Sequence, residues 1–323
     1  MKSDKILILG SCGQIGVELT LALRTQYGND AVIATDIKEE HSLLKGTGPF
    51  YQVDVMDINA VLALVKKEQI TQIYLLAALL SATGEKMPLK AWDINMTSLL
   101  QVLEMSVQEK IAKVYWPSSI AVFGSTTPKQ ATPQKTIVEP ETVYGISKYA
   151  GENWCQYYAK RYGLDVRSIR YPGLISWKSL PGGGTTDYAV DIYLQALAQK
   201  KYTCFLSEHT YLPMMYMDDA IRATIELMEA PADRLSTRLA YNISAMSFGS
   251  LSPNAIRALN RGAKMGGFAH DTGEGSISAY HRVHGGDLVW EIGSGYFGCR
   301  DDEGKFSPSH FVENARQPQV KMI

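Results

Sequence analysis

Short apolar runs alternate with amphipathic stretches along the first three quarters of the chain. The predicted strands are Lys5–Leu9, Ala31–Thr35, Phe50–Val55, Gln72–Ala77, Lys113–Trp116, Asp165–Tyr171 and, later, Ala240–Ile243. The predicted helices are Gln14–Gln26, Asp57–Glu68, Leu89–Met105, Val143–Tyr162, Ala189–Gln199 and Met217–Glu229. Strands that alternate with helices of this length predict βαβ units and a parallel sheet. The predicted fold class is therefore α/β: a Rossmann-type doubly wound parallel sheet, followed by a small C-terminal region.

Composition narrows the range of partners. The chain has 323 residues, of which 46% are hydrophobic and 20% charged, so a packed core is expected rather than disorder. The net charge is −1, which argues against a nucleic-acid or anionic-membrane surface. The apolar runs are too short to span a bilayer, and the N-terminus lacks the apolar core of a signal peptide. Cysteines at 12, 155, 204 and 299 show no disulfide spacing, so a cytoplasmic protein is expected.

A glycine-rich turn follows the first predicted strand, with the sequence Gly10-Ser11-Cys12-Gly13-Gln14-Ile15-Gly16. In this position Gly10 allows a tight turn, Gly13 lets the backbone approach a pyrophosphate, and Gly16 lets the helix pack closely on the sheet. About twenty residues after Gly16, Asp36 ends the second predicted strand. A carboxylate there accepts hydrogen bonds from the ribose hydroxyls and repels a 2′-phosphate. The pattern predicts NAD, rather than NADP, as the cofactor.

Other strand ends supply further candidate contacts. Asp54 and Val55, at the end of the third predicted strand, are expected to face the adenine. Ala77 and Ala78, at the end of the fourth, leave space for the nicotinamide ribose. Small or polar residues are also common at strand ends for purely structural reasons, so these assignments depend on the glycine turn.

Tyr144 and Lys148 are four residues apart and therefore share one face of a predicted helix. A tyrosine has a pKa of about 10 and is a poor base at neutral pH. A nearby lysine and a positive nicotinamide ring would favour the phenolate and lower that pKa. Ser119, at the end of the fifth predicted strand, can hold a substrate hydroxyl against Tyr144. The three residues predict proton transfer from an alcohol.

These features together resemble an extended short-chain dehydrogenase/reductase, and more narrowly the short-chain type of L-threonine 3-dehydrogenase. The resemblance runs from about residue 4 to about residue 248. The segments that carry it are Leu76–Glu85 (LAALLSATGE), Trp116–Gly124 (WPSSIAVFG), Val143–Lys148 (VYGISK), Arg170–Gly173 (RYPG), Pro181–Asp187 (PGGGTTD) and Tyr241–Phe248 (YNISAMSF).

The resemblance implies oxidation of the L-threonine β-hydroxyl by NAD to give 2-amino-3-ketobutyrate. It implies Tyr144 as general base, Ser119 as the residue that positions the hydroxyl, and Lys148 as the residue that binds the nicotinamide ribose. The implied substrate-binding residues are Ser81, Ser119, Tyr144, Thr185 and Thr186. The predicted cofactor-binding residues are Gly10, Gly13, Gln14, Ile15, Gly16, Asp36, Ile37, Asp54, Val55, Leu76, Ala77, Ala78, Tyr144, Lys148, Tyr171, Pro172 and Leu174. A homodimer formed through the helices at about 89–105 and 143–162 is also implied.

After Phe248 the sequence changes character. Residues 246–323 resemble the start of the flavin-binding region of glutamate synthases, through the MSFG string and Thr272–Gly275 (TGEG). A complete (β/α)₈ barrel needs about 250 residues, so no flavin site is expected. His270, His281 and His284 match no zinc-ligand spacing, so no metal is expected either. Within this tail, Ala255–Met265 has a helical pattern.

The predicted organisation is an NAD-binding domain at 1–175 with a later return at about 212–245, a substrate segment at 176–211, and an atypical tail at 246–323. Several alternatives stay open at this point. A nucleotide-sugar epimerase or dehydratase shares the Ser/Tyr/Lys set and the glycine turn. A fusion protein that binds NAD without catalysis, and a flavin-dependent amidotransferase component, are further possibilities.

Three local interpretations also have alternatives. Asp187 either pairs with a substrate ammonium or caps the following helix. Asp218 and Asp219 are interpreted as helix N-terminal caps rather than as substrate ligands. The glycine-rich segment Leu180–Thr186 is either a lid or a plain linker.

Overall fold

The structure is a computed structural model with two compact units. It describes residues 4–128, 132, 136–178, 182, 184, 186–207, 210, 212–232, 239–240, 252–266, 269–273, 275–292 and 296–322. The first unit comprises Met1–Thr127, Lys135–Ala232 and Thr237–Ala240, and the second is formed mainly by Tyr241–Ile323.

The first unit is built on a parallel sheet. Its strands are β1 Ile6–Leu9, β2 Val32–Asp36, β3 Phe50–Gln52, β4 Gln72–Leu75, β5 Lys113–Tyr115, β6 Ser118–Ser119, β7 Asp165–Tyr171, β8 Gly173–Ile175, β9 Met214–Tyr216 and β10 Leu239–Ala240. Seven of them lie in the order β3-β2-β1-β4-β5-β7-β10, β6 pairs with β7, and β8 and β9 form a separate parallel pair. This arrangement confirms the predicted Rossmann-type sheet.

Helices flank this sheet. They are α1 Gln14–Tyr27, α2 Ile58–Glu68, α3 Ser81–Lys86, α4 Pro88–Gln108, α5 Val143–Tyr162, α6 Tyr188–Gln199 and α7 Met217–Glu229. Side chains at helix ends account for several of these boundaries. Asp57 accepts a hydrogen bond from the Ala60 N–H at the start of α2, and Thr142 accepts one from the Gly145 N–H at the start of α5. Gly163, with φ of 71°, ends α5 in the left-handed conformation.

The core lies on both faces of the sheet. Every residue of β1, β2 and β4 is buried, as expected for strands covered by helices on each side. β1 lies between β2 and β4, so the chain order reverses on either side of it. In open α/β sheets this reversal leaves a crevice at the carboxyl ends of the strands, which is where ligands bind.

The structure corrects several predicted boundaries. β3 ends at Gln52 and β4 at Leu75, so the predicted contacts at 54–55 and 77–78 lie in the loops that follow. Ser119 belongs to the short strand β6 rather than to the end of β5. α3 was not predicted, because its short sequence offers no apolar periodicity.

The interpretation of Asp218 and Asp219 as helix caps was wrong. Tyr216 occupies the N-cap position of α7, and the two aspartates lie in its first turn. Acidic side chains in a first turn interact favourably with the helix dipole without capping it. The carboxylate of Asp219 also forms an ion pair with Arg222 at 2.7 Å.

The second unit contains a small parallel sheet. Its elements are α8 Pro253–Gly266, β11 His270–Asp271, α9 Ala279–Arg282, β12 Leu288–Val289, α10 Pro308–Ala315 and β13 Val320–Met322, with strand order β11-β12-β13. α8 contains the predicted helix at 255–265. Trp290, Ile256 and Cys299 are fully buried in this unit.

Two kinds of feature are absent from the described ranges. No helix there is long and apolar enough to cross a membrane. In the same part of the chain, no three His, Cys, Asp or Glu side chains are grouped so that they could hold a metal ion.

Candidate active site

A cavity of about 1390 Å³ in the first unit opens at the carboxyl ends of the strands. The glycine turn, the loops after β2, β3 and β4, and the residues Ser119, Tyr144 and Lys148 line it. Every predicted cofactor and substrate residue contributes to this lining except Thr185, which lies outside the described residues. The structure thus brings residues from distant parts of the sequence to one cleft.

The glycine turn fits a pyrophosphate. Gly10 has φ of +96°, and a Cβ there would lie 2.6 Å from the backbone nitrogen of Ala77. A Cβ on Gly16 would overlap the carbonyl oxygen of Gly10. At Gly13 the nearest atom would be 3.8 Å away, so this position faces open space at the start of α1. The first N–H groups of a helix are a ready site for phosphate oxygens.

Asp36 fixes the turn from the neighbouring strand. Its carboxylate accepts hydrogen bonds from the backbone N–H groups of Cys12 at 2.9 Å and Lys38 at 3.0 Å. A carboxylate has about four lone-pair sites, so acceptor capacity remains for a ribose diol. The glycine turn and the carboxylate together form a site that fits NAD.

The adenine end of the cleft contains residues that the sequence did not reveal. Lys38, Glu39, His41 and Met56 line it beside the predicted contacts. They lie in loops, where neither apolar periodicity nor glycine spacing marks a contact. The sequence feature that could have identified them is their position just after β2 and β3, where ligand contacts are expected.

Ser119, Tyr144 and Lys148 meet at the other end. The Ser119 hydroxyl acts on the ionisation of the Tyr144 phenol, and its oxygen accepts the Ala121 N–H at 3.1 Å. The ammonium of Lys148 lies 5.4 Å from the centre of the Tyr144 ring. This is the arrangement expected for proton transfer from an alcohol.

Burial dominates the ionisation of this pair. It raises the pKa of Tyr144 to about 12, and the Ser119 hydroxyl opposes the rise. Burial also lowers the pKa of Lys148 to about 7, while Cys155 and Glu152 oppose the fall. The expected lowering of the Tyr144 pKa by Lys148 is therefore not produced by the protein residues alone.

The orientation of Lys148 explains this difference. Its ammonium donates to the Pro117 carbonyl at 2.7 Å and lies 4.3 Å from the centre of the Trp116 ring. It is therefore directed toward the segment between β5 and β6 rather than toward the phenol oxygen. Positive charge closer to the phenol is still needed to favour its ionised form.

Asn95 is a positioning residue that the sequence analysis missed. Its side chain is buried in α4, accepts the Leu79 N–H at 2.8 Å and donates to the Leu79 carbonyl at 3.1 Å. It also donates to the hydroxyl of Ser147 at 3.4 Å, and that hydroxyl donates to the Tyr144 carbonyl. Asn95 thus ties the loop after β4 to α5. The available signal was a lone carboxamide among the apolar positions of α4.

The part of the cavity that the sequence assigns to the substrate is less polar than predicted. Ser81, the first residue of α3, and Thr186 line it, together with the apolar side chains of Phe205, Leu206 and Leu212 that sequence analysis missed. The carboxylate of Asp187 accepts the Gly184 N–H at 2.8 Å and makes no capping bond to α6. Asp187 occupies the N-cap position of α6, although without a side-chain capping bond, and it also lines the cavity.

The hydroxyl of Tyr171 is occupied by hydrogen bonds to other side chains of the protein. Tyr115 donates to it at 2.6 Å, and Thr224 is its other hydrogen-bond partner. Burial raises the pKa of Tyr171 to about 12. Tyr144 is therefore the phenol in this region that can exchange a proton with a substrate.

A parallel sheet with this strand order, a glycine turn and a strand-end carboxylate define a dinucleotide-binding protein. The chain belongs to the NAD dependent epimerase/dehydratase family, whose model matches residues 6–244. Membership confirms the prediction of NAD as cofactor. A second model, described as a conserved region in glutamate synthase, matches residues 184–323, in agreement with the resemblance noted for the tail.

The chain is also similar to individual relatives and solved structures. An uncharacterized epimerase/dehydratase of Staphylococcus haemolyticus is 51% identical over 256 residues, which are 79% of each chain. A GalE-like L-threonine dehydrogenase from Cupriavidus necator, in its holo form, is 53% identical, with 87% of this chain and 88% of that chain covered and a TM-score of 0.72. A monomeric L-threonine 3-dehydrogenase from a metagenome is 49% identical, with 76% and 78% covered and a TM-score of 0.70.

Proposed function

We propose that the protein oxidises the 3-hydroxyl of L-threonine with NAD to give 2-amino-3-ketobutyrate. The observation that carries the proposal is that Ser119, Tyr144 and Lys148 line the same cavity as the glycine turn and Asp36. The solved relatives named as L-threonine dehydrogenases, at 49% and 53% identity, support this substrate.

The residues of the chain divide the reaction between them. NAD, when bound, would supply the acceptor for the hydride that leaves C3 of the substrate. The phenolate of Tyr144 takes the hydroxyl proton, so the alcohol loses two electrons and two hydrogens and becomes a ketone. The Ser119 hydroxyl holds the reacting oxygen next to the phenol. The ammonium of Lys148 is assigned to the ribose, and a bound nicotinamide ring would supply the positive charge near the phenol that favours the phenolate.

Recognition of a zwitterion suits the substrate end of the cavity. Ser81, Thr185 and Thr186 are assigned to the carboxylate and ammonium groups, because neutral hydroxyls can bind both charges. Asp187, which lines the cavity beside Thr186, supplies a carboxylate suited to the ammonium. The apolar residues Leu206 and Leu212 suit the threonine methyl group.

One specific observation favours a second candidate, a nucleotide-sugar epimerase or dehydratase. The family includes such enzymes by its description, and the Staphylococcus haemolyticus relative is named an epimerase/dehydratase. A third candidate is a fusion that binds NAD without turnover, because the family model stops at residue 244 and the glutamate synthase region continues to residue 323.

The experiment is a measurement of NADH formation with NAD and L-threonine, beside L-serine, L-allo-threonine and a UDP-sugar. Turnover with threonine alone would support the proposal. Conversion of the UDP-sugar would replace it with the second candidate. NAD binding without turnover of any substrate would favour the third.

We further propose a cytoplasmic homodimer. Large apolar side chains on α4 and α5 are exposed in the single chain, namely Leu89, Trp92, Ile146, Tyr149, Trp154 and Tyr157. Trp154 and Tyr157 meet edge to face with ring centres 5.7 Å apart, which suits a packed interface. Sedimentation of the purified protein tests this proposal, and a monomer at micromolar concentration would reject it.

A further inference from the structure

Glu152 is a buried carboxylate that the proposed reaction does not use. It lies on α5 one turn after Lys148 and two turns after Tyr144, and only 2% of it is exposed. Both of its oxygens are engaged by protein donors. Arg170 donates to them from two nitrogens, at 2.6 Å each, and the Ser118 hydroxyl donates to one of them at 2.5 Å.

These donors belong to the strands that form the reaction end of the cavity. β6 pairs with β7 so that Ser118 lies opposite Arg170 and Ser119 lies opposite Tyr171. Glu152 therefore bonds to both residues of the Ser118–Arg170 pair in the sheet. The adjacent pair along these strands contains Ser119. Because Glu152 shares α5 with Tyr144 and Lys148, its carboxylate links that helix directly to the strand that presents Ser119.

Stability alone is a weak reason for such a cluster. Two charges are expensive to bury, and apolar side chains of similar volume often serve a core as well or better. A bidentate pair of arginine and carboxylate does, however, fix distance and orientation. Here the fixed geometry lies between the helix and the strand that must keep the phenol and the serine hydroxyl in contact.

We propose that Glu152 is a positioning residue for the reaction: through Ser118 and Arg170 it sets the distance between Ser119 on β6 and Tyr144 and Lys148 on α5. This inference rests on the proposed function, because it assigns Glu152 to the same alcohol oxidation. Glu152 does not touch the substrate in this scheme.

The same carboxylate also acts on the charges around it. The groups that face Lys148 are Tyr144, Glu152 and Cys155 on its own helix, and the Trp116 ring and Pro117 carbonyl ahead of β6. Arg170 reaches the cluster from β7 through Glu152. Glu152 acts to raise the pKa of Lys148, against the effect of burial. Removal of its negative charge would make proton loss easier for the neighbouring groups. The pH profile of kcat would therefore shift to lower pH.

The test compares Glu152→Gln and Ser118→Ala with Asp165→Asn in the full chain. Asp165 is a matched control, because it forms a bidentate pair with the buried Arg167 on the same strand β7. Asp165 and Arg167 are absent from the lining of the cavity. Ser118→Ala removes one link and leaves the Glu152–Arg170 pair intact, so it remains informative should Glu152→Gln fail to fold.

We expect Glu152→Gln to lower kcat with L-threonine by about 10- to 100-fold, because small misplacements of reacting groups have effects of this size. The KM for threonine and the Kd for NAD should change by less than about threefold, and the pH profile of kcat should move to lower pH. Ser118→Ala should give a smaller loss of kcat. Asp165→Asn should change the melting temperature and leave kcat and the pH profile as in the wild type.

Each of these results either supports or overturns the positioning role of Glu152. If Glu152→Gln folds and keeps the kcat and pH profile of Asp165→Asn, Glu152 is only structural and the inference is wrong. If Glu152→Gln does not fold, an unchanged kcat in Ser118→Ala overturns it. A wild-type protein without threonine oxidation would reject the proposed function as well, and that outcome is visible before any variant is compared.

Discussion

The carboxylate of Asp36 accepts the backbone N–H of Cys12 at 2.9 Å, so the end of β2 is tied to the middle of the glycine turn. One side chain thereby serves two purposes. It fixes the loop that faces the pyrophosphate, and it presents oxygens where the ribose hydroxyls are expected. Changes at Asp36 should therefore affect both the affinity for the cofactor and the choice between NAD and NADP.

We expect Asp36→Asn to weaken NAD binding by about 10-fold or more, since a bond to a charged acceptor is worth about 1.5–3 kcal/mol. The preference for NAD over NADP should fall, because the repulsion of a 2′-phosphate is lost. Titration of both cofactors, followed by protein fluorescence, measures the ratio. Asp93→Asn is a suitable control, since Asp93 is exposed on α4, accepts a hydrogen bond from the Thr97 hydroxyl and is absent from the cavity lining. An unchanged ratio of NAD to NADP affinity in Asp36→Asn would show that other residues recognise the ribose.

The phenol oxygen of Tyr144 is expected to be essential for turnover. Tyr144→Phe keeps the ring and removes the group that accepts the substrate proton, so kcat should fall by about 10²- to 10⁴-fold. NAD affinity should stay within about threefold of the wild type. Tyr149→Phe is the matched control, because Tyr149 lies on the same helix but is exposed and absent from the cavity lining. A Tyr144→Phe variant with most of the wild-type rate would contradict the assignment of the base.

Much of this fold and site could be predicted because the relevant signals are local. The apolar runs gave the strands, Gly10 to Gly16 gave the cofactor turn, and the spacing of Tyr144 and Lys148 placed both on one face of α5. Asn95 and Glu152 were missed because their partners, Leu79 and Arg170, are distant in the sequence. The direction of the Tyr144 pKa was missed for a related reason, since burial is a property of the assembled cleft.

Gly13 and Gly16 of the cofactor turn should respond differently to substitution by alanine. A Cβ at Gly16 would overlap the Gly10 carbonyl, so Gly16→Ala should lower the melting temperature of the first unit by several degrees. A Cβ at Gly13 meets only one protein atom, at 3.8 Å, and extends into the cavity. Gly13→Ala should therefore keep the melting temperature and weaken NAD binding. Thermal unfolding and NAD titration of both variants check this contrast. An equal loss of stability in both variants would contradict the view that position 13 needs a glycine in order to leave room for the cofactor.

The stability of the second unit should fall in mild acid because of His270. This side chain is fully buried, and its ring lies 5.0 Å from that of His281. Burial, assisted by His281, lowers the pKa of His270 from 6.5 to about 4. Between these two pH values the unfolded chain binds a proton that the folded unit does not, so the free energy of unfolding decreases as pH falls from 6.5 toward 4.

Replacement of the ring tests this dependence. His270→Phe keeps an aromatic side chain without a titrating group, so its thermal unfolding should lose less stability between pH 6.5 and pH 4 than that of the wild type. His284→Asn, at an exposed position, should behave like the wild type over the same range. A melting temperature that declines equally in all three proteins would mean that other groups control the acid sensitivity. A smaller decline in His270→Phe alone would identify the buried imidazole as its source, because no other change in the variant removes a titrating group.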